Sequence, residues 1–143
     1  MKHVGKLLSF VAALFLALTA VCGALAESTP SGTITVLSFT EYHEAVQAAI
    51  DAFMLANPDV TVKLEEYPFS EYNDAVTIKL GSQSQDFDVI MTDTTMVSAY
   101  AYKGWIDPVD EYFTEEEKSQ FAPAMVKAGT FEGSFVAPPL CNS

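Results

Sequence analysis

The period of apolar and polar positions changes along the chain in a regular order. Ile34-Thr35-Val36-Leu37 is an apolar, β-branched run and predicts a buried strand. Val46, Ala49, Ile50 and Phe53 then recur at helical spacing, with Glu44, Gln47 and Asp51 on the opposite face, so an amphipathic helix follows. Asn57-Pro58-Asp59 stops it, because proline lacks an amide hydrogen and restricts the residue before it. Val60 to Leu64 alternates as a second strand. Strand, crossover helix and strand at this length predict two parallel neighbours joined with right-handed topology. Such a sheet holds its ligands just past the carboxyl ends of the strands, here at Thr40-Glu41-Tyr42.

The same reading continues downstream. Ser70 is placed as the N-cap of a helix with Tyr72, Val76 and Leu80 on one stripe, stopped by Gly81. Asp86 to Thr92 predicts a third strand with Val89-Ile90-Met91 as its buried centre. Asp93-Thr94-Thr95 caps a further helix over Met96 to Lys103, ended by Gly104. Trp105 to Phe113 reads as a loop pinned by Trp105, Ile106 and Val109. Thr114-Glu115-Glu116-Glu117 matches a capping box, Phe121 to Ala128 supplies another turn or two of helix, and Glu132-Gly133 marks a tight hairpin.

The first 26 residues stand outside this pattern. Lys2 and Lys6 precede the almost wholly apolar Leu7 to Leu18, and Ala24-Leu25-Ala26 forms a signal-peptidase site, so residues 1–26 predict a secretory signal peptide. Two other readings stay open: an uncleaved anchor, since the apolar stretch nearly reaches membrane-spanning length, and a lipoprotein acylated at Cys22. Val21 precedes that cysteine where a glycine or alanine is expected. Residues 27–33 read as a polar linker and 34–143 as folded chain.

Charge narrows the partners. Losing residues 1–26 leaves 117 of the 143 residues and removes two lysines, so the formal charge goes from −12 to −14, with no arginine anywhere. That acidity excludes nucleic acid and disfavours an anionic membrane surface. Beyond residue 26 there is one histidine, His43, and one cysteine, Cys141, so no internal disulfide and no metal-ligand cluster is predicted. His43-Glu44-Ala45-Val46-Gln47 falls short of a zinc-protease motif, with Gln47 where the second ligand belongs. No nucleophile elbow, phosphate-binding loop or dinucleotide glycine signature occurs, so neither an enzyme nor a cofactor is expected.

Three polar loops remain after apolar strands: Thr40-Glu41-Tyr42, Asp93-Thr94-Thr95 and Leu140-Cys141-Asn142-Ser143. In a parallel sheet they converge on one edge. They carry carboxylate, hydroxyl and amide groups with an aromatic ring and no cation, which suits a neutral polyhydroxylated ligand. Plainer roles stay open beside this one: Asp93 and Thr94 as helix caps, Glu41 as a first-turn acid and Trp105 as a core anchor.

In succession, "ITVLSF", "AFMLANPDVTVKLEEYPFSEYNDAV", "DFDVIMTD", "YKGWIDPVDEYF" and "GTFEGSFVAPPL" resemble the start of a bacterial extracellular solute-binding protein of the carbohydrate-type ABC importer class, over Ile34 to Ser143. The resemblance implies an α/β lobe of a type II periplasmic-binding fold, a mostly parallel sheet flanked by helices. It implies a ligand held in a cleft between two lobes, a chain well over twice this length and residues 34–143 as the N-terminal part of the first lobe. Residue by residue, it places Thr40, Glu41, Asp93, Thr94, Thr95 and Asn142 at that cleft. It further implies a monomer that delivers a small-molecule solute, a sugar or oligosaccharide, to ABC permease subunits from the periplasm or the outer face of the membrane. Rivals on the same fold are a polyamine binder, which the acidic loops suit, and a sensor lobe of a membrane receptor.

Overall fold

In the computed structural model, which describes residues 30–140, three parallel strands run in the order β2–β1–β3: β1 Gly32–Phe39, β2 Val60–Tyr67 and β3 Val89–Ile90. Helix α1, His43–Ala56, joins β1 to β2, and α2, Phe69–Gly81, joins β2 to β3. The first crossover leaves β1 in one direction and the second returns past it. Right-handed connections therefore put α1 and α2 on opposite faces of the sheet. Alternation along β1 divides the core accordingly: Leu37 and Phe39 pack with Tyr72, Val76 and Leu80 of α2 and with Tyr100. Val46 and Ile50 are the buried pair of α1.

Several element limits differ from the expectation. β1 begins at Gly32, inside the segment assigned to a linker, because its pairing with β2 extends from Gly32↔Val60 to Phe39↔Tyr67. Helix α2 starts at Phe69, with Pro68 rather than Ser70 in the capping position. Phe53, placed on the core stripe of α1, is 43% exposed; Val46 and Ile50 are the buried residues of that helix, and Met54 Sδ accepts the Val62 N–H of β2 at 3.4 Å. The third strand shrinks to two residues, and Val89 is 49% exposed instead of central. Beside this short ladder, Asp88 donates its N–H to Thr35 O at 2.9 Å and accepts the Thr35 N–H on Oδ2 at 2.8 Å.

Helix α3, Thr94–Tyr102, follows β3 directly, and Asp93 caps it as expected. After a 3₁₀ turn at Asp110–Tyr112 come α4, Glu115–Lys118, with its Thr114 capping box, and α5, Pro123–Ala128. Strands β4, Thr130–Phe131, and β5, Ser134–Phe135, form the hairpin expected at Glu132-Gly133. Both turn residues take positive φ, 48° and 90°, which glycine adopts freely at the second position. The hairpin is tied to the lobe at Phe135: Val109 N–H donates to Phe135 O at 2.8 Å, and Phe135 N–H donates to Asp110 Oδ2 at 2.9 Å. These bonds bring residues 136–140 back beside β3. The expected signal peptide, its alternatives at Cys22, Cys141 and Asn142 lie outside the described residues.

Candidate functional site

β1 is the strand at which the sheet order reverses, and the chain leaves β1 and β3 at the same edge in opposite directions. A crevice opens at such a switch point because the two following segments diverge. A cleft of about 640 Å³ occupies this place and continues along β3. Phe39, Tyr42, Phe69 and Met91 to Thr94 are among the residues that line it. Pro138, Pro139 and Leu140 line it as well. No lysine, arginine or histidine is among the lining residues, whereas Asp88, Asp93 and Asp107 are.

The expected site residues separate into two groups. Tyr42, Asp93 and Thr94 share the cleft. Thr40 and Glu41 line a shallower depression with Tyr42 and His43 at the start of α1. Thr95 works from behind: its N–H and hydroxyl both donate to Asp93 Oδ1, at 2.8 and 2.7 Å. Among the described residues no donor reaches Asp93 Oδ2. Glu41 accepts the Phe69 N–H on Oε1 at 3.2 Å and the Thr40 hydroxyl on Oε2 at 3.2 Å. Phe69 is the first residue of α2, so Glu41 satisfies an amide that has no partner within its own helix.

Phe69 also lines the cleft and was not among the residues expected there. It follows β2, which is parallel to β1 and so ends at the same edge; the run Tyr67-Pro68-Phe69 carried the signal. Trp105 reaches the cleft but is packed at 5.9 Å from Tyr100 between ring centroids, with Lys103 Nζ 4.1 Å over its ring, the anchor arrangement. His43 Nδ1 lies 2.8 Å from Glu66 Oε2, and Gln47 donates to Asp51 at 2.8 Å. Among the described residues no group of three or more His, Cys, Asp or Glu side chains is arranged to hold a metal ion.

The hydrogen bonds from Thr95, hydroxyl first and N–H second, hold Asp93 below its ordinary 3.8. The N–H of Phe69 likewise holds Glu41 below 4.5. With the folded value depressed, each carboxylate contributes stability in full above its ordinary value and loses it as pH falls through the lowered one. The Phe69 and Thr95 amide resonances are accordingly expected to stay unchanged from pH 7 to about 5 and to move together with these carboxylates only below that. Midpoints at or above 4.5 and 3.8 in an NMR pH titration would show that the two caps do not persist in solution.

A parallel α/β lobe with a cleft at its switch point, lined by three aspartates and several aromatic rings, defines a ligand-binding lobe of the periplasmic-binding-protein type. The family model for bacterial extracellular solute-binding proteins matches residues 38–138, and the chain belongs to that family. It is 28% identical over 96 residues to the maltotriose-binding protein of Pyrococcus abyssi (strain GE5 / Orsay), an alignment covering 67% of this chain and 20% of that protein. Among solved structures it resembles the GacH receptor of Streptomyces glaucescens GLA.O, solved unliganded and with acarbose. There the TM-score is 0.66 at 26% identity, over 74% of this chain and 28% of that one. Maltose-bound T. maritima MalE3 shares the fold at TM-score 0.65 and 24% identity, over 75% of this chain and 28% of that one. The chain thus spans about a fifth of the length of the maltotriose-binding relative.

Proposed function

We propose that this chain supplies one wall of the binding site of an exported solute-binding protein that takes a neutral sugar or oligosaccharide and passes it to ABC permease subunits. The observation that carries the reading is the cleft itself: Tyr42, Asp93 and Thr94 line it together, and no lysine, arginine or histidine is among its lining residues. Carboxylate and hydroxyl oxygens accept from sugar hydroxyls, and an aromatic face covers the apolar C–H side. Thr95 orients Asp93 from outside the cleft, Thr40 and Glu41 flank it, and Asn142 belongs to the same group through the resemblance of its segment. The sugars bound by the maltotriose-binding relative and the GacH receptor support the same class. Binding requires no reaction step, and none is assigned. Export by cleavage after Ala26 accompanies this role, giving a monomer in the periplasm or at the outer face of the membrane.

The acidic lining also favours one rival, a polyamine. Salt separates them, because an ionic ligand weakens as screening rises and a neutral one does not. Calorimetric titration of the intact protein with maltotriose is expected to give an affinity that changes little between low and high salt. In Asp93→Asn that affinity falls about ten- to a hundredfold, the effect of losing one charged hydrogen-bond partner. Silence with sugars and salt-sensitive binding of spermidine would replace the carbohydrate reading with the cation one.

A further inference from the structure

The side of the cleft that carries Asp93 follows a very short ladder. β3 pairs with β1 at two positions, Val36↔Val89 and Leu37↔Ile90, and one further backbone bond runs from Met91 N–H to Leu37 O at 2.8 Å. Two residues later Asp93 lines the cleft as the N-cap of α3. Strands are commonly about five or six residues long, so this pairing leaves the end of β3 weakly held by its neighbour.

Side chains from elsewhere hold Met91 in addition. The hydroxyl of Tyr72, on α2, lies 2.6 Å from Met91 O and 2.9 Å from Leu37 O, so one donor stands between the ends of both strands. The buried Ser38 of β1 donates its hydroxyl to Met91 Sδ at 3.5 Å. Met91 is therefore gripped at its N–H, its carbonyl and its sulfur. Tyr72 itself has no exposed surface and is not among the residues that line the cleft. A phenylalanine would fill nearly the same volume without a polar atom to desolvate, and burying a hydroxyl is costly unless it is bonded. The oxygen of Tyr72 is bonded to strand carbonyls and not to its own helix. We propose that Tyr72 is a positioning residue for the ligand: its hydroxyl pins the end of β3 to β1 and so sets where Asp93 stands in the cleft. This rests on the carbohydrate reading, in which Asp93 accepts sugar hydroxyls. It adds a residue that governs affinity without touching the sugar.

Tyr72→Phe removes the oxygen and keeps the ring. Tyr100→Phe makes the same change at a second buried tyrosine, whose hydroxyl meets Thr77 Oγ1 at 3.0 Å between α2 and α3 and which does not line the cleft. Both variants are titrated calorimetrically, as intact protein with maltotriose, at a temperature where circular dichroism shows each fully folded. Tyr72→Phe is expected to bind about five- to tenfold more weakly, because the residue behind a ligand contact has been loosened. Tyr100→Phe is expected to stay within about twofold of the unaltered protein, although it also loses a buried hydroxyl bond. Placed on Asp93→Asn, Tyr72→Phe should cost about twofold or less, since the carboxylate it positions is already gone. Equal losses in the two tyrosine variants, or none in Tyr72→Phe, would overturn the positioning role while the carbohydrate reading stands. Losses at Tyr72 and Asp93 that multiply would also overturn it, because the hydroxyl would then act by a route other than Asp93. Absence of maltotriose binding by the unaltered protein would remove both readings.

Discussion

Replacing Tyr72 with alanine is expected to lower the stability of this lobe by about 3–5 kcal/mol, the range for deleting a large buried aromatic side chain. Tyr72 has no exposed surface and packs on Phe39, Tyr67 and the aliphatic core of α2. Its hydroxyl lies 2.9 Å from Leu37 O on β1 and 2.6 Å from Met91 O just past β3. Burial pushes that hydroxyl well above the ordinary tyrosine range, so it remains a donor throughout the pH range in which the protein folds. One proton is shared between two carbonyls, and the bond ties together the two strand ends that frame the cleft. Tyr72→Phe should therefore cost much less, about 1 kcal/mol, since Leu37 O also accepts the Met91 N–H at 2.8 Å and Met91 O alone loses its donor. Urea unfolding followed by the fluorescence of Trp105, the chain's single tryptophan, reads this lobe directly. Equal losses in the two variants would mean that the hydroxyl, not the ring, carries the stability.

The second large effect is expected at Gly129. A Cβ added there would overlap the Ala137 carbonyl oxygen and crowd the ring of Phe135. Its φ of −84° is open to any residue, so the requirement for glycine is the close approach of two backbones and not the backbone angle. Gly129 O accepts the Val136 and Ala137 N–H groups at 2.9 and 3.1 Å, which hold the start of the cleft-lining segment that runs on to Pro138, Pro139 and Leu140. Gly129→Ala must push that segment away, at about 3 kcal/mol or more. Under the proposed carbohydrate binding, affinity should drop with it, because residues that line the cleft move. Proteolysis after Phe135 or Leu140 should accelerate in the variant. A variant with unaltered stability and cleavage would show that the approach of residues 129 and 137 is looser in solution.

These two residues also mark how far a linear reading reaches. Tyr72 stood on the predicted apolar stripe of α2, so its burial followed from helical spacing, yet nothing in that spacing pointed its hydroxyl at two strands. Gly129 ends α5, a local role for a glycine after Ala128, while its contact with Ala137 depends on how the β4–β5 hairpin folds back. Glu41 shows the same division. A first-turn acid was expected, and an acid in a 3₁₀ turn is found, but its partner is the amide of another helix.

What the chain determined by itself is local: the alternation of strands and helices, the caps at Asp93 and Thr114, and the hairpin at Glu132-Gly133. Each of these depends on side chains and backbone groups within a few residues of one another, so spacing alone reveals them. The placement of Asp93 and Thr94 in one cleft with Tyr42 followed from one added rule, that parallel strands end at a common edge. Only the tertiary structure brought Phe69 to that edge, set Thr40 and Glu41 apart from the cleft and exposed Val89 on a two-residue strand. These depend on the lateral order β2–β1–β3 and on bonds between residues tens of positions apart. A period of two or 3.6 residues states which face a side chain takes, but it carries no term for which strand lies alongside.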